Sequence, residues 1–268
     1  MADPAIDPPP LLPVEPRTTH PTVDITAGST PVAAPSGSPG KARRKRIPRM
    51  HPLPPRHAQV RRVQPGQVLT LFDGGGADWA AEVTAVTRSG VQVRVGAAQV
   101  VQRELPLPVT LALAMPANER MDTLVEKATE LGVASITPLL AERSVLKLKG
   151  ERADKKLAHW QAVAVAACEQ CGRNRVPTLH PAQTLADWLQ APPQDGQRLL
   201  LSLRPGTQPL HAAAPGHTGL VFLSGPEGGL SGTEEDLALA HGFAPVTLGP
   251  RVLRAETAPL AALAALLV

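Results

Sequence analysis

The chain has 268 residues, 43% of them hydrophobic, and a formal net charge of +4. That length can bury enough apolar surface for one large domain and a small one. Aromatic residues make up only 2% of the chain and none is tyrosine, which argues against a base-stacking sheet of the RNA-recognition type.

Cysteine usage and apolar run lengths restrict the compartment. Cys168 and Cys171 are too few for a four-ligand zinc site or a disulfide framework, so we expect no metal and a reducing environment. No apolar run approaches the roughly 20 residues of a membrane span. The N-terminus has prolines and acids where a signal peptide has an apolar core. We therefore expect a cytoplasmic protein without a membrane partner.

Charge is distributed unevenly in the N-terminal part. Residues 1–40 carry a net charge of −3, whereas residues 41–62 carry nine Lys or Arg and no acid. Residues 1–46 are rich in proline and small polar residues, and their last six residues, 41–46, carry the first five of these nine cations. This composition predicts a disordered, basic extension. The basic block, residues 41–49 included, is typical of a phosphate-backbone contact and equally of a solvated tail.

Residues 47–105 are predicted to form a small β domain. Apolar strands alternate here with tight turns: strands Gln67–Phe72, Trp79–Val86 and Val91–Val95, and turns Asp73–Gly76 and Ser89–Gly90. This pattern favours a small barrel or curled sheet. Such a module is either an RNA-binding appendage or a structural or dimerisation module, and the strands do not distinguish the two.

After a linker at Glu104–Pro108, strands alternate with helices over residues 106–268. The predicted strands are Val109–Ala114, Ala134–Leu140, Val176–Leu179, Arg198–Leu203, Gly219–Leu223 and Val246–Leu248. A first helix is predicted between Asn118 and Gly132. The other predicted helices are Lys155–Cys171, Leu185–Leu189, Glu234–Ala240 and Ala258–Val268. The alternation predicts a parallel sheet covered on both faces by helices.

Two helices show a clear apolar face. In the first, the apolar positions recur at helical spacing, at Met121, Leu124, Val125, Ala128 and Leu131. Asn118 is expected to cap its start and Gly132 its end. In Lys155–Cys171, one side is formed by Trp160, Ala164, Ala167 and Cys168. The cysteines are interpreted as residues without a metal or redox role, because nothing nearby supplies metal ligands or a redox partner.

The first glycine-bearing loop is Leu223–Ser231, with sequence LSGPEGGLS. Gly228 and Gly229 allow a close approach of backbone to a ligand, and Ser231 with Glu234 fits a capping box that opens the next helix. No Gly-Lys-Ser/Thr follows, and the dinucleotide fingerprint is absent. The loop therefore indicates a small-molecule site or simply a tight turn.

The second loop is Leu248–Ala258, with sequence LGPRVLRAETA. Its Arg251 and Arg254 beside Glu256 and Thr257 could hold a phosphate and accept a proton, or form a structural ion pair. The helix after it is apolar on nearly every face, which predicts burial, for example against a second subunit. Arg173 at the end of an earlier helix could reach a substrate phosphate or stabilise the helix terminus.

Five segments in this order resemble the RsmE family of bacterial methyltransferases: Glu126–Val133, Glu142–Val145, Glu169–Arg173, Gly225–Gly229 and Leu248–Ala258. The resemblance covers about residues 47–268. It implies the SPOUT class, with a C-terminal trefoil knot that binds S-adenosylmethionine, a homodimer, and an N-terminal PUA-like domain that grips RNA. The implied reaction is methylation of N3 of one uridine in 16S rRNA, within the small ribosomal subunit.

The resemblance also implies the site residues. Cofactor binding is carried over to Leu201, Ser202, Leu203, Gly225, Pro226, Glu227, Gly228, Gly229, Leu248, Gly249, Arg251, Val252, Leu253 and Thr257. For catalysis we assign the proton acceptor to Glu256, with Glu227 as second choice, and charge stabilisation to Arg254 and Arg173. The family's start is shortened between Pro52 and Val60, and residues 1–46 have no counterpart.

Two alternatives to uridine N3 methylation remain. One is another SPOUT activity, 2′-O-ribose or guanine-N1 methylation. The other is a catalytically silent RNA-binding assembly factor, against which the intact glycine loops argue.

Overall fold

The computed structural model describes residues 22–26, 63–88, 90–146, 148–191, 196–213, 216 and 218–267. These form two compact units. One holds the described residues up to Leu71 together with Trp79–Ala98, and the other holds Phe72–Asp78 and everything from Gln99 onward. Among these residues, no helix combines the length and apolarity needed to cross a membrane.

The first unit is a four-stranded sheet in the order β1-β4-β3-β2. Its strands are β1 (Thr22–Thr26), β2 (Val68–Phe72), β3 (Ala77–Val86) and β4 (Gly90–Val100). Alternate residues of β3 and β4 are buried, so one face of the sheet forms the core of this unit. The three predicted strands are confirmed.

β1 corrects part of the expected disordered extension. Thr22–Thr26 pairs antiparallel with β4, from Thr22 opposite Arg94 to Thr26 opposite Gly90. Its sequence TVDIT is rich in β-branched residues, which suit a pleated strand. The rest of the predicted extension lies outside the described residues.

The predicted turn between β3 and β4 is closed by a hydrogen bond from the Thr87 N–H to the Gly90 carbonyl. Its Ser89 lies outside the described residues.

The second unit is built on an eight-stranded sheet whose ladders are parallel, in the order β10-β12-β9-β11-β5-β6-β7 with β8 also paired to β6. The strands are β5 (Val109–Ala114), β6 (Ser135–Leu140), β7 (Thr178–Leu179), β8 (Gln183–Thr184), β9 (Gln197–Leu201), β10 (Gln208–Pro209), β11 (Leu220–Ser224) and β12 (Ala244–Thr247).

Helices cover both faces of this sheet. They are α1 (Asn118–Glu130), α2 (Glu151–Cys171), α3 (Leu185–Gln190), α4 (Leu210–Ala213), α5 (Gly232–Ala240) and α6 (Thr257–Ala264). Leu111 and Phe222 of the central strands pack with α1, α2 and α6, whereas their neighbours Ala112 and Leu223 pack with α3 and α5. The predicted parallel sheet with two helical layers is confirmed.

Two helix starts and the burial of the last helix differ from the predictions. The N-cap of α1 is Ala117, so the expected Asn118 cap was wrong. Gly132 follows α1 with φ +91° as predicted. α2 begins four residues early, at Glu151, where acids in the first turn suit the helix dipole. α6 is buried on one side only, at Pro259, Ala262 and Leu263, and its last residue, Ala264, is exposed.

Candidate functional site

A cavity of about 650 Å³ lies at the carboxyl ends of the parallel strands. Three loops wall it, one each after β9, β11 and β12. β9 lies between β11 and β12 in the sheet, so their loops leave the same edge side by side. Open α/β sheets bind small molecules at this edge, and the volume is in the usual range for such sites.

The first loop, Gly225–Leu230, folds back on itself. A Cβ atom on Gly225 would lie 2.8 Å from the backbone nitrogen of Leu230, so only glycine fits there. Gly229 has φ +68°, and its N–H donates to the Pro226 carbonyl at 2.8 Å. The predicted capping box of Ser231 and Glu234 then opens α5. The loop therefore presents backbone groups to the cavity at close range.

Arg143 supports this loop from outside the cavity. Its Nη1 donates to the Gly228 carbonyl at 2.8 Å, and its side chain lies 3.4 Å from where a Cβ of Gly228 would be. The neighbouring Glu142 N–H donates to Glu234 of the capping box at 2.7 Å. This explains the segment Glu142–Val145, which carried no role in the sequence analysis.

The second loop, Leu248–Ala255, is shaped by Gly249, whose φ is +114°. The Thr247 hydroxyl accepts from the Gly249 N–H at 3.2 Å and donates to the Gly249 carbonyl at 3.0 Å. The Arg254 carbonyl then accepts from the N–H groups that open α6. Val252 is 79% exposed and lines the cavity, as does another exposed apolar side chain, Leu203.

The third loop, Leu201–Arg204, carries a polar network. The buried Ser202 hydroxyl contacts the Glu235 carboxylate at 3.1 Å and accepts from the Arg204 N–H at 3.1 Å. Arg204 also pairs with Asp236 at 2.9 Å. Arg204 and Glu235 line the cavity but were missed, because β9 and α5 meet only in the folded chain.

Arg120, in the first turn of α1, joins the two glycine loops. Its Nη1 donates to Glu227 Oε1 at 3.1 Å, and the Ala117 N–H donates to the same oxygen at 2.9 Å. Its Nε lies 3.8 Å from Glu256 Oε1. Glu256 Oε2 is buried and has no hydrogen-bond partner within the described part of the chain.

Glu227, the second candidate proton acceptor, is surrounded by hydrogen-bond donors. Burial acts to raise the pKa of Glu227, but the Ala117 N–H, its own backbone N–H and Arg120 outweigh it, so the pKa lies below the ordinary 4.5. Glu227 is therefore a carboxylate at neutral pH that is already engaged by donors, which makes it a poor base.

Twelve of the fourteen residues assigned to the cofactor line the cavity; Gly249 and Thr257 lie beside it in the second loop and at the start of α6. Of the residues assigned to catalysis, Glu227 and Arg254 line it, and Glu256 adjoins it through Arg120.

The structure does not bring Arg173 to this site. Its guanidinium is 5% exposed, pairs with Glu104, and donates to the carbonyls of Thr129 at 2.7 Å and Val133 at 3.1 Å. It lines a different hollow. These contacts favour the structural alternative. Burial raises the pKa of the Cys168 thiol to about 12, as suits a core residue.

Metal ligands do not cluster in the described ranges, where no three His, Cys, Asp or Glu side chains could hold an ion together. Backbone groups, apolar rims and paired charges wall the cavity, which suits an organic ligand.

Comparisons with known proteins agree with this geometry. The RNA methyltransferase domain family matches residues 103–267, and the RNA methyltransferase PUA domain family matches residues 56–96. Ribosomal RNA small subunit methyltransferase E of Synechocystis is 36% identical over 77% of this chain and 67% of that protein. The protein of the same name from Bacillus subtilis is 31% identical over 77% of this chain and 84% of that protein.

Two solved structures are similar. Ribosomal RNA small subunit methyltransferase E of Neisseria gonorrhoeae, bound to S-adenosylmethionine, is 40% identical with a TM-score of 0.74. A putative methyltransferase of Legionella pneumophila in complex with the same cofactor is 38% identical with a TM-score of 0.74. Each comparison covers 78% of this chain and 86% of the other.

Proposed function

The chain belongs to the ribosomal RNA small subunit methyltransferase E family, and we propose that it methylates N3 of one uridine in 16S rRNA with S-adenosylmethionine as donor. The observation that carries the proposal is the cavity of three loops at one sheet edge. It is supported by relatives near 40% identity that were crystallised with this cofactor.

The residues present fit S-adenosylmethionine. The apolar rim of Leu203, Leu248 and Val252 suits an adenine ring, and the Gly225–Leu230 backbone can reach polar ring edges. The wall carries charges of both signs, Glu227 and Glu235 beside four arginines, which suits a ligand that has both cationic and anionic groups. We assign binding to the fourteen residues named in the sequence analysis, with Ser224, Arg204 and Glu235 added from the cavity wall.

When bound, the cofactor supplies a methyl group on a sulfonium sulfur, a good leaving group. The chain's residues must place uridine N3 in line and remove its proton. We assign the proton to Glu256, because Glu227 is engaged by donors and has a lowered pKa. Arg254, which lines the cavity, would offset negative charge on the uracil carbonyls or on a flanking phosphate.

The remaining assignments are proposals of the same kind. We divide the chain into an extension at 1–46, whose Thr22–Thr26 joins the sheet of the next domain as β1, a PUA-like RNA-binding domain at 47–105 and a methyltransferase domain at 106–268, close to the two family matches. We expect a trefoil knot, a cytoplasmic location and a homodimer. The half-exposed apolar helix α6 supports the dimer, because a second subunit would bury its remaining face.

The proposal is tested by mass spectrometry of 16S rRNA from cells with and without the protein. Loss of a single N3-methyluridine, restored by the wild-type chain, is the expected result. A lost 2′-O-methyl or N1-methylguanine would replace the assigned activity by another of the SPOUT class. An unchanged profile, together with no S-adenosylmethionine binding by calorimetry, would favour the silent assembly factor.

A further inference from the structure

We propose that Arg120 is a positioning residue of the methyl-transfer site, which couples the first glycine loop to the second through Glu227 and Glu256. The proposal rests on the function proposed above and adds a residue that belongs to neither loop. Arg120 lies in the first turn of α1, where its N–H donates to the Ala117 carbonyl at 2.9 Å. Its backbone is therefore fixed by the helix, and only its side chain reaches the loops.

The contact with the first loop is complete. Glu227 Oε1 accepts from Arg120 Nη1 at 3.1 Å and from the Ala117 N–H at 2.9 Å. Two donors from one helix start hold the same oxygen, and the guanidinium donor makes a charge-assisted bond. The carboxylate of the first loop is thereby fixed to the start of α1.

The contact with the second loop is incomplete. Arg120 Nε lies 3.8 Å from Glu256 Oε1, which is too long for a hydrogen bond. The other oxygen, Oε2, is shielded from solvent and has no hydrogen-bond partner among the described residues. The Glu256 carboxylate is therefore only partly satisfied, and a closer guanidinium donor at Oε1 would stabilise it.

Arg120 can supply that donor without leaving Glu227. A guanidinium has five N–H groups in a planar fork, and one of them serves Glu227 here. The side chain is 37% exposed and lines the cavity, so it has room to rotate. A shift of less than 1 Å would close the 3.8 Å gap to hydrogen-bonding distance. Arg120 would then hold both carboxylates at once.

Loss of the Arg120 contacts should affect the rate of methyl transfer and the affinity for the cofactor to different extents. Glu256 is the N-cap residue of α6 and ends the second loop, so fixing its carboxylate also fixes the end of that loop. Loss of Arg120 should leave Glu227 of the first loop held by the Ala117 N–H but loosen the group assigned to the proton. Misplacement by about 1 Å can cost about 10²-fold in rate. We therefore expect the rate of methyl transfer to fall far more than cofactor affinity.

The test compares Arg120→Ala and Arg120→Lys with Arg152→Ala, which removes an exposed arginine of α2. Single-turnover methylation of unmethylated 30S subunits is measured beside S-adenosylmethionine binding by calorimetry. We expect Arg120→Ala to lose about 10²-fold in methylation rate. Its Kd for S-adenosylmethionine should change less than about 3-fold, which is much smaller than the change in rate. Arg120→Lys keeps the charge but not the planar fork, so it should recover part of the rate, and Arg152→Ala should behave as wild type.

Hydrogen exchange of the free protein separates this proposal from the proposed function. Arg120→Ala should speed exchange of the amides of residues 249–257, whereas Arg120→Lys should not, and neither readout needs RNA or cofactor. Unchanged exchange, or a lysine variant as impaired as the alanine variant, would overturn the role of Arg120 even if the wild type is active. An inactive wild type with the expected exchange pattern would instead count against the proposed function alone.

Discussion

Replacement of Arg173 by Ala should destabilise the catalytic unit strongly while leaving the chemistry intact. The guanidinium is 5% exposed and pairs with Glu104, whose side chain is 20% exposed. It also donates to the carbonyls of Thr129 and Val133, which close the turn after α1. Removing it leaves a partly buried carboxylate and two carbonyls without these donors.

The size of the effect follows from that loss. Breaking a buried ion pair by removing one partner costs about 3–5 kcal/mol. For a unit of this size each kcal/mol lowers Tm by about 2–4 °C, so Arg173→Ala should lower Tm by roughly 6–20 °C. Lys155→Ala is the control, because it removes an exposed pair with Glu151 on α2, whose contribution is about 1 kcal/mol or less.

The assay is thermal unfolding followed by circular dichroism, beside single-turnover methylation at a temperature where the variant is folded. We expect a rate within about 3-fold of wild type there, since the side chain lies in a different hollow from the cofactor cavity. A variant of unchanged Tm that loses about 10²-fold in rate would refute this reasoning. It would return Arg173 to the catalytic role that the sequence first suggested.

Three further predictions concern the cavity. Gly225→Val should abolish S-adenosylmethionine binding by calorimetry while the chain stays folded, because its Cβ would lie 2.8 Å from the Leu230 nitrogen; retained binding would show that the loop can move aside. Glu256→Gln should lower single-turnover methylation by about 10²-fold or more at unchanged cofactor affinity, and a wild-type rate would remove it as the base. Arg143→Ala should weaken cofactor binding by about 10-fold, since the Gly228 carbonyl loses its charged donor, whereas an unchanged Kd would mean that the loop is rigid without it.

Local features of the fold were predictable from the sequence. The apolar period of 109–114 and 135–140 predicts buried strands, and the Ser231–Glu234 spacing predicts a capping box that is present. These signals lie within one element or one turn, where period and capping chemistry act. The same holds for Gly132, whose positive φ ends α1.

Contacts between distant segments were not predictable. Arg120 meets Glu227 only because β5 and β11 are parallel neighbours, and Arg143 meets Gly228 across a comparable separation in sequence. No periodicity specifies which strands are adjacent, so Arg120 and Arg143 could not be assigned to the glycine loops. Arg173 was ambiguous for the same reason, since its partner Glu104 precedes it by 69 residues.

Hydrogen-bond partners distinguish the carboxylates around the cavity. Glu227 accepts from Ala117 and Arg120, and Glu235 accepts from Ser202. Glu256 alone of these three has a buried oxygen with no donor among the described residues. A base needs a lone pair that no strong donor already holds, so this inventory supports Glu256 over the other two. Arg120, whose Nε lies 3.8 Å from Glu256 Oε1, would orient that carboxylate through one oxygen and leave the other without a donor, as a proton acceptor requires.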